Sequence, residues 1–294
     1  MSTCILVSPV EAADPTPLRQ RLHVVEPSEP HVSVLDLGVT RGDGIFEVLG
    51  VVDGHPQAVD AHLRRLANSA AMLDLPALDL GAVRAAVLQV ASLADPAPEM
   101  LVKVVVTRGV EDPEPTAATC WVIAFPAGDH TGERREGVSV VLLDRGYPHD
   151  IASRAPWLLT GAKTLSYAVN KAALREASRR GADDVVFTSS DGYVLEGPTS
   201  TLIVRSGNRV WTPATAQGLL RGTTQASAFE FFASRGFSTA EVLLQVGQLQ
   251  DADALWLASS SRLLAPVREV DGWAVPVDGE LTAAANAHLL GRTE

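Results

Sequence analysis

Residues 126–132, Pro-Ala-Gly-Asp-His-Thr-Gly, divide the chain into two stretches that each mix strand and helix signals. A polar, turn-rich segment between β-rich runs reads as an interdomain linker. It predicts a small α+β domain over 1–125 and a larger one over 133–294. Ahead of the linker, 31–36 and 45–52 are β-rich, and Asp53-Gly54 marks a turn between Val52 and Ala58. Leu63, Leu66, Ala67, Ala70 and Leu73 recur at helical spacing, which predicts a helix over 60–73 capped by Asp60. A second helix is expected over 80–93, then strands over 101–107 and 119–125. Beyond the linker, strands are expected at 137–141, 184–188, 193–195, 201–205, 209–211, 254–258 and 264–270. Leu165, Ala168, Val169, Ala172 and Ala173 mark one helix face, and further helices are expected over 224–234 and 281–290.

Several function classes drop out on charge and motif. A formal net charge of -11 opposes nucleic acid and anionic membrane surfaces, whose phosphates need a positive field. No run approaches the roughly 20 apolar residues of a membrane span. The N-terminal Met-Ser-Thr-Cys-Ile-Leu-Val lacks the basic region of a signal peptide, so a cytoplasmic protein with Cys4 and Cys120 reduced is expected. No CxxC or HExxH is present and the seven histidines are scattered, so no metal site is expected. Neither a GxSxG elbow nor a full GxGxxG occurs.

Lysine is scarce. Lys103, Lys163 and Lys171 are the only lysines among 24 lysines and arginines. An amine can lose its proton, attack a carbonyl and hold an aldehyde cofactor as a Schiff base, which a guanidinium cannot. Lys163 precedes a helix signal, and a helix N-terminus would lower its pKa. Glu196, before Gly197-Pro198, suits an exposed turn or a pairing with a protonated ring nitrogen. Gly218 to Thr224 runs straight into a helix and would offer backbone N–H groups to an anion. An arginine of His62-Leu-Arg-Arg-Leu66 could grip a phosphate, and Ser259 to Ser261 could donate hydroxyls. Singly, each segment is equally compatible with an ordinary loop or solvated helix face.

Together and in order, these segments resemble the class IV aminotransferases, the fold-type IV enzymes that use pyridoxal 5'-phosphate. The matching stretches are Arg41 to Glu47, His62 to Leu66, Ala162 to Tyr167, Gly192 to Leu202, Thr212-Pro213, Gly218 to Arg221, and Ala265 to Arg268 before Asp271-Gly272. The resemblance implies a two-domain α+β fold, D-amino acid aminotransferase-like. It pairs a small N-terminal α/β sandwich with a larger β-barrel-like domain carrying helices. It also implies a homodimer acting on a small molecule.

By resemblance, Lys163 is the Schiff-base lysine and proton shuttle, Arg65 a phosphate ligand, and Glu196 the partner of the pyridine nitrogen. Leu219 and Leu220 would offer amides, and Ser260 a hydroxyl, to the phosphate. Tyr167, Thr199 and Ser200 would adjoin the cofactor, and Arg41, Phe46 and Arg108 the substrate. The context of Lys163 to Asn170 and of Leu195 to Thr201 is most similar to 4-amino-4-deoxychorismate lyases, which make 4-aminobenzoate and pyruvate toward folate. Thr107-Arg108-Gly109 is followed by Val110 to Glu114, without the Arg-x-His carboxylate trap of D-amino acid aminotransferases. Yet Gly44 to Val48 is close to the pattern of those enzymes. Transamination of a D-amino or branched-chain amino acid is therefore the second expectation, and a non-catalytic cofactor-binding relative the third.

Overall fold

The computed structural model describes residues 2–111 and 117–292. They fall into two compact units. The first takes the chain through Gly128, Ala162–Tyr167 and Arg292; the second takes Asp129–Gly161 and Ala168–Gly291. The division after Gly128 falls inside the 126–132 segment. Lys163, however, groups with the first unit, whereas a second domain over 133–294 would have contained it.

In the first unit the order is β1 (Thr3–Val7), β2 (Leu22–Val25), α1 (Leu37–Thr40), β3 (Gly44–Val52), β4 (His55–Pro56), α2 (Val59–Met72), α3 (Leu80–Leu93), β5 (Glu99–Thr107) and β6 (Thr119–Pro126). The six strands form an antiparallel sheet in the order β2-β1-β6-β5-β3-β4. β3 alternates as a half-covered strand should: Ile45, Glu47, Leu49 and Val51 are buried, and Phe46, Val48 and Gly50 are half-buried. α2 supplies Leu63, Leu66 and Ala70 to the core from one helical stripe. Leu66 is fully buried, a contribution of about 1.5–3 kcal/mol.

Two local expectations differ from the structure. Residues 31–36 form no strand, despite their valines, because Asp36 redirects the chain. Its buried carboxylate accepts from the Gly38 amide at 2.8 Å and from the Thr107 and Thr119 hydroxyls at 2.9 and 2.8 Å, capping α1 instead of continuing a ladder. Asp60 does not cap α2. The cap position is Ala58 in the left-handed region at φ 50°, and the Asp60 carboxylate pairs with Arg84.

The second unit runs α4 (Thr131–Glu136), β7 (Val138–Asp144), α5 (Ile151–Arg154), α6 (Ala168–Arg179), β8 (Asp184–Thr188), β9 (Thr201–Ser206), β10 (Arg209–Pro213), α7 (Thr223–Ser234), β11 (Ser238–Val242), β12 (Ala254–Ser259), β13 (Leu263–Val270), β14 (Trp273–Ala274) and α8 (Gly279–Leu290). Its strands form a mixed sheet in the order β11-β10-β9-β12-β13-β7-β8, with β14 paired to β13. β12 is buried along Ala254 to Ala258 without alternation, because both its faces are covered. One face packs Ile203 and Trp256 against Phe231 and Phe232 of α7 and Leu289 of α8; the other joins Leu202, Leu255 and Leu257 to Val138 and Val140. The expected strand at 193–195 reduces to single bridges, Val194 to Thr188 and Tyr193 to Gln245. No helix of the described residues is long and apolar enough to cross a membrane.

Candidate active site

Lys163 sits in an extended segment laid along the start of β3. The Phe46 amide donates to the Lys163 carbonyl at 3.0 Å, and the Leu165 amide to the Gly44 carbonyl at 2.8 Å. From the other side, the Lys163 amide donates to Ser69 Oγ of α2 at 3.1 Å. Backbone bonds thus fix the lysine's origin on both sides, and its Nζ lies 4.6 Å from the centroid of the Phe46 ring. Tyr167 meets the same ring edge-on, centroids 5.4 Å apart. The structure therefore brings Lys163, Phe46 and Tyr167 together. α6 begins only at Ala168, so Lys163 stands before its first turn in sequence.

Behind β3 lies a buried carboxylate, Glu47, to which the sequence motifs assign no role. Glu47 is 1% exposed. It accepts from Arg65 Nε at Oε1 and from Arg65 Nη2 at Oε2, both at 2.7 Å, and from His62 Nδ1 at 2.7 Å. His62, Arg65 and Ser69 are three and four residues apart, hence on one stripe of α2. Burial alone would raise the Glu47 pKa, but the charge and hydrogen bonds of Arg65, with those of His62, hold it at about 2. Burial lowers the His62 pKa, against the pull of Glu47 and with repulsion from Arg65 and Lys163. His62 is then a neutral imidazole whose Nδ1 carries the proton, since a carboxylate only accepts. The signal was available: alternation along β3 puts position 47 in the buried register, where a carboxylate needs partners.

Of the expected substrate arginines, Arg41 is exposed at the end of α1. Arg108 is engaged elsewhere. Its Nε donates to Asp43 at 2.7 Å, and its Nη2 and Nη1 donate to the carbonyls of Leu73 and Asp74 at 2.5 and 3.2 Å. In this structure it braces the Arg41–Asp43 loop against the end of α2. The missing Arg-x-His pattern at 110–114 lies partly outside the described residues.

The second unit carries a separate group. Glu196 is half-buried, and its Oε1 accepts from the Leu220 amide at 3.1 Å. Leu219 donates to the Thr215 carbonyl at 3.3 Å. Both amides expected at a phosphate thus have protein acceptors. A few residues on, α7 starts at Thr223 with Gly222 at its cap and no capping side chain, and Thr223 and Thr224 are buried. An uncapped helix start leaves amides without intrahelical acceptors and favours an anion. A Cβ at Gly222 would overlap Thr201 Oγ1, so the bare glycine is sterically required.

Nearby in sequence to Glu196, Ser200 is buried and its Oγ has no hydrogen-bond partner, while Thr199 is exposed. The loop is held where Asn170 Nδ2 donates to the Pro198 carbonyl at 2.6 Å. Ser260 lies in a turn pinned by Arg134, which donates to the Ser261 and Arg262 carbonyls at 3.0 Å each. Arg262 in turn is buried and paired with Asp184. The two groups offer an amine nucleophile, a braced guanidinium, a carboxylate held by an amide, and an uncapped helix start.

Residues 44–270 match the family model for amino-transferase class IV. A bifunctional aminodeoxychorismate lyase and D-amino acid transaminase from Mycobacterium tuberculosis is 43% identical over 264 residues, 86% of this chain and 90% of that protein. A fold IV transaminase from Curtobacterium pusillum is 48% identical, with a TM-score of 0.95 and complete coverage of both chains. A hypothetical aminotransferase from Mycobacterium tuberculosis, in a PLP-bound form, is 39% identical with a TM-score of 0.88, over 98% of this chain and 99% of its own.

Proposed function

The chain belongs to the class IV aminotransferases, and from that membership we propose that it is a 4-amino-4-deoxychorismate lyase that also transaminates D-amino acids. Its cofactor is pyridoxal 5'-phosphate. Bound, that group supplies a carbonyl for the substrate's amine and an electron sink for the carbon beside it. The residues present fit it. A phosphate dianion suits the uncapped start of α7, and the buried, partnerless Ser200 Oγ is a donor awaiting an acceptor. Lys163 would hold the aldehyde carbon through Nζ, and Glu196 would pair with a protonated ring nitrogen. Arg65, the first-turn amides of α7 and Ser260 would hold the phosphate.

Freed when the substrate's amine takes its place, the Lys163 amine would remove the proton from the substrate carbon that bears nitrogen. For the lyase reaction it returns a proton to the departing enolpyruvyl fragment, which leaves as pyruvate while the ring becomes 4-aminobenzoate. For transamination Lys163 would instead carry that proton to the other side of the substrate nitrogen. The observation that carries the proposal is the Lys163 amine, fixed by backbone bonds on both sides and set against Phe46. The bifunctional relative, 43% identical, supports keeping both reactions. A cytoplasmic homodimer is part of the same reading, and its mass in solution checks the dimer.

The purified protein, given 4-amino-4-deoxychorismate and no keto-acid acceptor, should form 4-aminobenzoate and pyruvate in equal amounts. Amino transfer from D-alanine to 2-oxoglutarate without any lyase product would overturn the lyase reading. Replacement of Gly222 by alanine should weaken cofactor retention about tenfold, read by dialysis and absorbance, because the helix start must shift to clear Thr201. Unchanged retention would remove α7 from the phosphate site.

A further inference from the structure

Lys103, in the first unit, has no part in the reactions derived above. On β5 it stands opposite Val48 of β3 and Ile123 of β6, so all three share one face of the sheet. That is the face of Phe46, reverse to the one where Glu47 meets α2. The face is apolar and half-buried at Phe46, Val48, Leu101, Trp121 and Ile123. Lys103 Nζ lies 5.2 Å from the Phe46 ring centroid, and Lys163 Nζ lies 4.6 Å from the same centroid. The two amines are separated by no more than the sum of those distances.

Among the described residues no carboxylate pairs with Lys103. Burial lowers its pKa, and among the described residues no anion offsets that effect. A half-buried cation held over an aromatic ring, without a counter-ion, is electrostatically incomplete until an anion arrives. Arg108, one of the two arginines expected at the substrate, pairs with Asp43, and the other, Arg41, is exposed.

We propose that Lys103 binds the carboxylate of the substrate and so selects amines that carry an acid group, while Lys163 works at the carbon bearing nitrogen. The proposal rests on the function proposed above and deepens it. An amine delivered to Lys163 across the Phe46 ring brings its carboxylate within reach of the second ammonium. Phe46 is then the floor on which both ends of the substrate are sorted.

The test compares D-alanine with D-alaninol, which differs only in having a hydroxymethyl group in place of the carboxylate. Cofactor absorbance is followed in the half-reaction of the holoenzyme, alongside KM and kcat for 4-amino-4-deoxychorismate. In Lys103→Met the preference for D-alanine over D-alaninol should fall about 10- to 100-fold, as for loss of one charge-assisted hydrogen bond. KM for the lyase substrate should rise by a similar factor while kcat changes little. Lys103→Arg should restore most of the preference. Lys103→Gln serves if the methionine variant folds poorly, and borohydride labelling of Lys163 reports an intact site in each. An equal loss with both amines, as a merely structural lysine would give, or no loss at all, would overturn the proposal. If the wild-type protein processes none of the three amines, the function proposed above fails, and this assignment with it.

Discussion

Lys163→Arg should abolish both lyase and transaminase activity, by about four orders of magnitude or more. Arginine keeps the positive charge and roughly the length but cannot deprotonate, so it can neither attack an aldehyde nor shuttle a proton. The fold should survive. The contacts that seat this segment on β3 and α2 are made by its backbone, from the Lys163 amide to Ser69 Oγ and from the Phe46 amide to the Lys163 carbonyl. The Phe46 ring can also accept a guanidinium over its face. The variant should therefore melt within a few degrees of the parent and retain cofactor only by its phosphate and ring contacts. Borohydride reduction followed by peptide mass analysis should label Lys163 in the parent and nothing at that position in the variant. Retention of more than about one hundredth of the activity would mean that another group carries the proton.

What could be read from the sequence follows from how local each signal is. α3 and α7 are legible because their apolar spacing and their ends are local. Asp79 caps α3 by accepting from Ala82, and a glycine precedes α7. The β3–β4 turn is legible in Asp53-Gly54, both at positive φ. β1, by contrast, is a short apolar run whose partners, β2 and β6, are remote, and β11 is a mostly exposed strand paired in parallel to β10. The pairing of Ile45 with Thr164 joins residues more than a hundred positions apart, so no periodicity could reveal that Lys163 belongs with β3. Arg65 is legible by motif, but what orients it is not, because position 47 reads as part of a strand pattern. The run from Gly218 into α7 is legible as a segment, but the acceptors its amides take are not. Only the structure shows that the Leu220 amide turns to Glu196.

Glu47→Gln should be the most destabilising single change in the first unit's site, by about 3–5 kcal/mol. Glutamine has nearly the same shape but leaves Arg65, whose side chain is 11% exposed, without its carboxylate. It also turns an NH2 group toward donors that need an acceptor. The midpoint of thermal unfolding should fall by about 10 °C. Cofactor retention should weaken too, because the guanidinium plane of Arg65 is set by its two bonds to Glu47. Acid titration separates this role from plain packing. The folded Glu47 pKa of about 2 lies below its ordinary 4.5, so the carboxylate's stabilisation is complete above 4.5 and disappears as pH falls toward 2. His62 is also depressed, from an ordinary 6.5, so the unfolded chain gains its proton first and stability declines below 6.5. Melting curves of parent and variant should thus lie far apart at pH 7 and converge as pH falls from 4.5 toward 2. A gap that stayed constant across that range would assign the loss to packing and refute an ionised Glu47 as the brace of Arg65.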